Sequence, residues 1–429
     1  MSKKLVFITT RLFWPADSGR KVSLYHYCEG LHEQLDYEVY VYSFLEGDQG
    51  AEDVECCPSF IADVRVAKPI GGGAKLKNLI SALLKPAAPF QCALYWSSEN
   101  RDAIRAYCEE VGADIVIIDM VRLAPYIDAL DGLGLPVVLD YDDLLSKRYE
   151  RQIGGFGGNI LGKYGTQASG LMRAIVSTQG LKNLVLRCES IRVERAEDGY
   201  ARRADAVLFV SPIETAELNG RLGSKKCFDA TLGAEVVEPV GLLPEAEFDF
   251  GFIGNMHTAA NQASLDYICG EVLPLLHGTT LRVIGVCPDD VAGRYVTVPQ
   301  VSFSGRVESI ADELTRCKVM LAPFAYGTGI KTKVLEAMGM GVPVVTNSLG
   351  VEGMTCVPGV EVELGETAQE LADACTRLLS DSERRRAVGL AGQGYVRRCH
   401  DWRASIENLG RCLDYAMDNR STFSKEGAR

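Results

Sequence analysis

The sequence predicts an α/β protein of two domains, each built on a mostly parallel sheet. Short apolar runs such as Leu5-Val6-Phe7-Ile8 recur along the chain and read as strands buried on both faces. Helical patterns fall between them, and that alternation makes a parallel sheet. The 429 residues suffice for two large α/β domains, or for about three of average size. The composition, 47% hydrophobic and 24% charged, is globular and excludes a disordered or collagen-like chain.

Lys4–Thr10 is the first expected strand, followed by a loop holding Pro15, Gly19, Arg20 and Lys21 and a helix over Lys21–Leu35. Val39–Leu45, Val64–Ala67, Ile115–Asp119, Val137–Asp140, Ala206–Val210 and Glu235–Val240 continue the run of strands. Two stretches break the rhythm. In Ala74–Lys85, Leu76, Leu79, Ile80, Leu83 and Leu84 share one helical face with Lys75, Lys77 and Lys85 beside it. It reads either as a contact with a membrane surface or as a helix packed on its own domain. The glycine-rich Arg151–Gly170 reads either as a lid over a cleft or as an irregular insertion. Glu194 and Glu197, among Arg192, Arg195, Arg202 and Arg203, read as a charged helix face.

Pro239, Gly241 and Pro244 mark a link of low periodicity, which bounds a first domain at residues 1–240 and a second at 241–400. The second domain has its own strand candidates: Phe250–Gly254, Leu281–Gly285, Val301–Gly305, Val319–Ala322 and Val342–Thr346. The helical tail, 401–429, is expected to return to the first domain. Two such domains place a ligand between their sheet ends.

The net charge of −12 argues against a protein that coats nucleic acid, while leaving room for a local anion site. The 14 Cys contain no CxxC, which weakens zinc and redox-dithiol readings, and so many in a chain of this size point to a reducing, cytoplasmic compartment. The apolar run before Thr9 is too short for a signal peptide, and no apolar stretch is long enough for a transmembrane helix.

The most informative segment runs from Ala322 to Val345. A strand ends at Ala322, a loop with Gly327 and Gly329 follows, and Ile330–Met340 makes a helix before the next strand. Glycines let a polyanion approach backbone N–H groups near a helix start, and Lys331 and Lys333 add positive charge. Glu336, one to two turns on, is placed to accept hydrogen bonds from a ribose diol. On residue types alone, a plain glycine turn with solvated lysines is an equal alternative.

The pattern G-x-G-x-K-x-K-x-L-E-A-M-x-x-G-x-P-V-V over Gly327–Val345 resembles the donor-site signature of the retaining GT-B glycosyltransferases, in the GT4-like group also described as glycosyl transferases group 1. Asn347, Gly350, Glu352 and Gly353 are similar to the loop that follows it there, and the Gly19 loop, Val137–Asp143, Ala204-Asp205 into Ser211 and Phe252-Ile253-Gly254 extend the likeness over nearly the whole chain. The resemblance implies a GT-B fold, two Rossmann-like domains whose parallel sheets face across a deep cleft. It implies a nucleoside-diphosphate sugar as donor and a glycan, lipid-linked or small-molecule hydroxyl acceptor, with the product in cell-surface polysaccharide or related glycan biosynthesis. No cofactor or metal is implied, since no Asp-x-Asp set stands in a loop suited to Mn²⁺. A peripheral place at the cytoplasmic membrane face fits a lipid-linked acceptor.

Carried over residue by residue, the resemblance gives Glu336 the donor ribose, the N–H groups of Gly327, Thr328, Gly329 and Ile330 the diphosphate, and Lys331 or Lys333 the leaving charge. Gly19 leaves room for the phosphates and sugar, with Arg20 and Lys21 beside it, and Glu352 and Val351 close the nucleoside pocket. Four positions depart from the family. Thr328 stands where a Glu is common, eight residues before Glu336. Asn255 and Asn261 replace an Arg and a Lys that usually meet the diphosphate, leaving Lys331, Lys333 and Arg306 to supply the charge. Asp142-Asp143 replaces a His-Asp pair, so Asp142 is the residue expected to read a sugar hydroxyl or orient the acceptor. His257, at a strand end, reads as a diphosphate or sugar contact, or as a structural histidine. A nucleotide-sugar epimerase or phosphorylase of the same architecture, or a non-catalytic nucleotide-sugar-binding protein, remains the alternative.

Overall fold

The computed structural model describes residues 2–16, 19–47, 49–84, 88–153, 179–236, 246–307, 309–325 and 329–426. It divides into two compact units, Met1–Thr231 with Arg403–Arg429, and Leu232–Trp402.

In the first unit the strands are β1 (Lys3–Thr9), β2 (Tyr37–Ser43), β3 (Ile61–Val66), β4 (Ile115–Asp119), β5 (Val137–Asp142), β6 (Ala206–Phe209) and β7 (Cys227–Asp229). They form one parallel sheet in the order β3-β2-β1-β4-β5-β6-β7. Every residue of β4 is buried, as a strand covered by helices on both faces requires. The helices are α1 (Gly19–Glu33), α2 (Ala51–Glu55), α3 (Gly72–Leu84), α4 (Phe90–Tyr95), α5 (Ser98–Val111), α6 (Met120–Leu123), α7 (Leu145–Gln152), α8 (Gln179–Arg203) and α9 (Pro212–Leu222). Their ends follow local chemistry. The Ser97 side chain accepts from Asn100 N to start α5, and Gly112 ends it in the left-handed region at φ 66°. Pro212 opens α9 and Gly223, at φ 63°, closes it.

The second unit holds β8 (Phe248–Ile253), β9 (Leu281–Ile284), β10 (Val301–Phe303), β11 (Cys317–Leu321), β12 (Val344–Thr346) and β13 (Glu363–Leu364). Their order is β10-β9-β8-β11-β12-β13, again parallel. Its helices are α10 (Ala259–Tyr267), α11 (Asp289–Ala292), α12 (Ile310–Thr315), α13 (Thr332–Gly339), α14 (Ala368–Ser380) and α15 (Ser382–Cys399). The last helix, α16 (Trp402–Glu426), lies almost wholly in the first unit. Gly30 of α1 admits it: a Cβ there would run into the Ile406 side chain. Tyr415 adds a ring contact to Phe228 at 5.1 Å.

The two parallel sheets are those the sequence predicts, with differences at their margins. The expected strand at Glu235–Val240 is not one: residues 235 and 236 are not in a strand, and 237–240 lie outside the described residues. The sheet is completed by β7, a three-residue strand too short to show a periodic pattern, and β13 has only two residues. Glu197 is not part of a surface face. It is fully buried and accepts from Ser146 N at 3.1 Å and Ser146 Oγ at 2.6 Å, tying α8 to the start of α7. Burial raises its carboxyl to about 7. Of the proposed lid, Arg151 and Gln152 end α7, and residues 154–170 lie outside the described residues.

In each unit the strand order reverses direction once, between β1 and β4 and between β8 and β11. Loops leaving the C-terminal ends of the strands beside such a switch point diverge and open a crevice. Gly19 and Arg20 open α1 after β1, Asn255 and His257 follow β8, and Gly329, Ile330 and Lys331 precede α13 after β11. Asp142 ends β5, Arg306 follows β10 and Glu352 follows β12.

Candidate functional site

In the second unit, the loop after β11 is clamped by the residue that follows β12. Asn347 accepts from Phe324 N at 3.2 Å, donates from Nδ2 to Phe324 O at 2.8 Å, and accepts from Gly350 N at 3.2 Å. Thr346 Oγ1 donates to Ala322 O at 2.6 Å. Gly350 is required there because a Cβ would overlap Thr346 Oγ1. Tyr326, Gly327 and Thr328 lie outside the described residues. Gly329 has a φ of 72°, which suits only glycine without strain. Ile330 is buried behind it, and Lys331 stands at the cap position before α13, whose start has no side-chain cap. Its first N–H groups are therefore not spent on a capping side chain.

Three charged residues ride on this turn and helix. Lys331 is largely buried. Its Nζ donates to Gly329 O at 2.6 Å and lies 3.7 Å from Glu352 Oε2. Lys333 Nζ donates to Asn261 Oδ1 at 2.7 Å and sits 5.6 Å from the ring centre of Phe252 and 5.5 Å from that of Phe324. Burial lowers the Lys333 ammonium to about 8, against the pull of Glu336 and with a further push from Lys331. Glu336 is half-buried on the same helix. Burial raises its carboxyl, and Lys333 offsets part of the rise. The helix thus concentrates one acid and two bases where water is partly excluded, and such charges act more strongly there than on an open surface.

The neighbouring loop comes from β8. Asn255 is exposed. Its Oδ1 accepts from His257 N at 3.0 Å, and its carbonyl accepts from Asn261 Nδ2 at 2.9 Å and from Thr258 Oγ1 at 3.1 Å. Asn261 therefore bridges the Asn255 loop and Lys333. His257 is exposed at the turn before α10. Arg306 is also exposed, just after Gly305, which is itself bridged to Gly285 at the ends of β10 and β9. The structure thus joins Lys331 to Gly329 and Glu352, joins Lys333 to Asn255 through Asn261, and sets both lysines over the Phe324 ring. Among the described residues it shows no such link for His257's ring or for Arg306. From sequence, Phe324 has no place in this constellation, and Asn347 and Phe252 stand within the resemblance without a role. Asn261 appeared there only as a missing lysine.

The first unit carries a separate ionic cluster at its own switch point. Arg20, on the first turn of α1, reaches Asp119 Oδ1 at 2.6 Å, Asp140 Oδ2 at 2.7 Å and Asp142 Oδ1 at 3.2 Å. Thr10 Oγ1 also donates to Asp119 Oδ2, at 2.5 Å. Arg20 is therefore neither solvated nor free for phosphate, because its guanidinium is shared among three carboxylates from β4 and β5. Burial pushes Asp140 up to about 6, and Arg20 holds it from rising further. Burial also raises Asp142, against Arg20. Asp142 has a left-handed backbone at φ 65° and a side chain 17% exposed, against 0% for Asp119 and 1% for Asp140. It is the carboxylate of this cluster that reaches solvent. A Cβ on Gly19, one residue before Arg20, would meet nothing within 4 Å. Among the described residues no group of three or more His, Cys, Asp or Glu could hold a metal ion.

Residues 247–381 match the family model of the glycosyl transferases group 1. No curated protein matches the chain in sequence. Among solved structures, it is similar to the sucrose-phosphate synthase of Thermosynechococcus elongatus, with a TM-score of 0.65, 16% identity, and coverage of 99% of this chain and 100% of that one. It is also similar to HepE of Anabaena in complex with UDP and glucose, with a TM-score of 0.61, 14% identity, and coverage of 95% and 99%. A TarM variant from S. aureus, solved with fondaparinux, α-GlcNAc-glycerol and UDP, gives a TM-score of 0.60, 10% identity, and coverage of 96% and 99%. The fold is that of the GT-B glycosyltransferases. Within it, residues 247–381 of the second unit are the part that matches the group 1 model.

Proposed function

We propose that the chain is a retaining glycosyltransferase that moves a sugar from a nucleoside-diphosphate sugar to a hydroxyl acceptor in the biosynthesis of a cell-surface polysaccharide or related glycan. The observation that carries the reading is the grouping of Lys331, Lys333 and Glu336 on an uncapped helix start behind Gly329. The lysines and the N–H groups of the loop meet the two negative charges of the departing diphosphate, without a required metal. Glu336 accepts from the ribose diol, and Glu352 and Val351 stand beside the nucleoside. Structural neighbours named as complexes with UDP or UDP-glucose make uridine diphosphate the first nucleotide to test.

In this reading the bond from the sugar's anomeric carbon to the diphosphate oxygen breaks, and its electron pair stays on the phosphate. The acceptor oxygen bonds to the same face of that carbon, and its proton passes to a phosphate oxygen. Positive charge on the ring and negative charge on the phosphate both peak in the transition state, so fixed lysines and N–H groups lower the barrier more than they tighten the ground state. On the first unit, Asp142 is assigned to a sugar or acceptor hydroxyl, with its rotamer fixed by Arg20.

A thermal-shift screen of nucleoside diphosphates and nucleotide sugars tests the reading, because a bound ligand raises apparent stability by mass action. A shift with one nucleotide, lost in Glu336→Ala, is the expected result. An equal shift in both proteins would overturn the donor assignment. Turnover of the nucleotide sugar that depends on an added acceptor separates a transferase from an epimerase.

A further inference from the structure

Helix α3 presents its apolar side to solvent. Leu76 is 60% exposed, Ile80 51%, Leu83 62% and Leu84 80%. These positions, spaced i, i+4, i+7 and i+8, form one stripe along the helix. The opposite side faces the unit. There Asn78 Nδ2 donates to Ala93 O at 3.1 Å and to Trp96 O at 2.8 Å, Ala82 is buried, and Arg192 donates to Ala82 O at 3.2 Å. Asn78 and Ala82 also line a cavity of about 500 Å³ with Cys92, Trp96, Asp128 and Tyr200. The helix is thus docked by its polar side, the reverse of what burial of an amphipathic surface helix would give.

The charged residues of the helix itself are of one sign. Lys75 and Lys77 fall on its two flanks at 100° per residue. From Val64 to Ser98 the sequence has five basic residues and no acidic one, in a chain whose net charge is −12. Arg65 and Lys68 of that run stand beside Glu110 and Glu99, and Lys75 and Lys77 stand on α3 itself.

We infer that α3 is a docking surface for an anionic lipid bilayer, lying in the membrane plane with Leu76, Ile80, Leu83 and Leu84 among the acyl chains and its lysines at the headgroups. An apolar stripe edged by lysines is the pattern of an interfacial helix. A two-fold contact with a second copy of the chain is disfavoured, because it would bring the lysines of both copies together. No described helix is long and apolar enough to cross a membrane, so attachment through α3 is peripheral. The inference does not depend on the reaction proposed above.

The test is flotation of the full chain with vesicles of phosphatidylcholine, alone and with phosphatidylglycerol. The wild-type chain is expected to float with the anionic vesicles and to be released by salt. Leu76→Ser with Leu83→Ser should lower partitioning about tenfold or more, and Lys77→Gln about fivefold. Both variants should keep the wild-type melting temperature and nucleotide-induced shift, since these side chains are exposed. Failure of the wild-type chain to float, or equal flotation of chain and variants, would overturn the inference. So would light scattering that shows a wild-type dimer converted to monomer by the serine pair, which would give the face to a second copy.

Discussion

Lys333 Nζ sits on Asn261 Oδ1 at 2.7 Å. The resemblance expects a lysine where this chain has Asn261, and the structure sets the ammonium of Lys333, from helix α13, against that asparagine. The price of the arrangement is a partly desolvated ammonium lowered to about 8 between two aromatic rings.

Replacing Lys333 with Ala is expected to weaken nucleoside diphosphate binding by about 1.5–3 kcal/mol, the usual worth of a hydrogen bond to a charged group. Calorimetric titration measures this directly. The same experiment over pH reads the titration of the lysine. A bound diphosphate favours the charged ammonium and burial favours the neutral amine, so affinity is full below about 8 and declines as pH rises through it. Lys333→Arg should flatten that decline, because a guanidinium stays charged.

Glu336→Ala should cost about 2 kcal/mol or more in nucleoside diphosphate affinity and leave inorganic pyrophosphate binding unchanged, since only the former has a ribose. Competition by the two ligands against a fluorescent nucleotide separates them. Equal loss for both would move Glu336 from the ribose to the phosphates.

Gly350→Ala is expected to destabilise the second unit by about 1–3 kcal/mol, because the new methyl overlaps Thr346 Oγ1. Adding Thr346→Ala should recover part of the loss in a denaturant melt. It would not recover all, since the Thr346 hydroxyl also donates to Ala322 O.

Arg20→Met leaves Asp119, Asp140 and Asp142 facing one another without a cation. A loss of about 3–5 kcal/mol is expected at neutral pH. The loss should shrink in acid, where the carboxylates take up protons, and Asp140→Asn should rescue part of it. A loss independent of pH in urea melts would argue for lost packing rather than lost charge.

The strands were legible because a buried parallel strand is a continuous apolar run, and Leu5–Ile8 or Ile115–Asp119 have no competing reading. Strands of two or three residues, such as β7 and β13, carry too little pattern to see. Glu197 was misread because a glutamate among arginines looks solvated in one dimension. Only the approach of Ser146 shows that it is buried and satisfied. The orientation of α3 could not be read either. Its stripe was plain in the sequence, but hydrogen bonds from Asn78 and Arg192 decided which side faces the protein.

By itself, the sequence determined the two-sheet architecture and the order of glycine, lysine and glutamate in the Gly329–Glu336 segment, because both are local: periodicity and spacing along one strand, turn or helix. The tertiary structure alone decided that Lys333 meets Asn261 and that Arg20 gathers Asp119, Asp140 and Asp142. Those partners lie far apart in the chain, and only the crossover of parallel strands brings their ends together, where burial then sets the charge each group can hold.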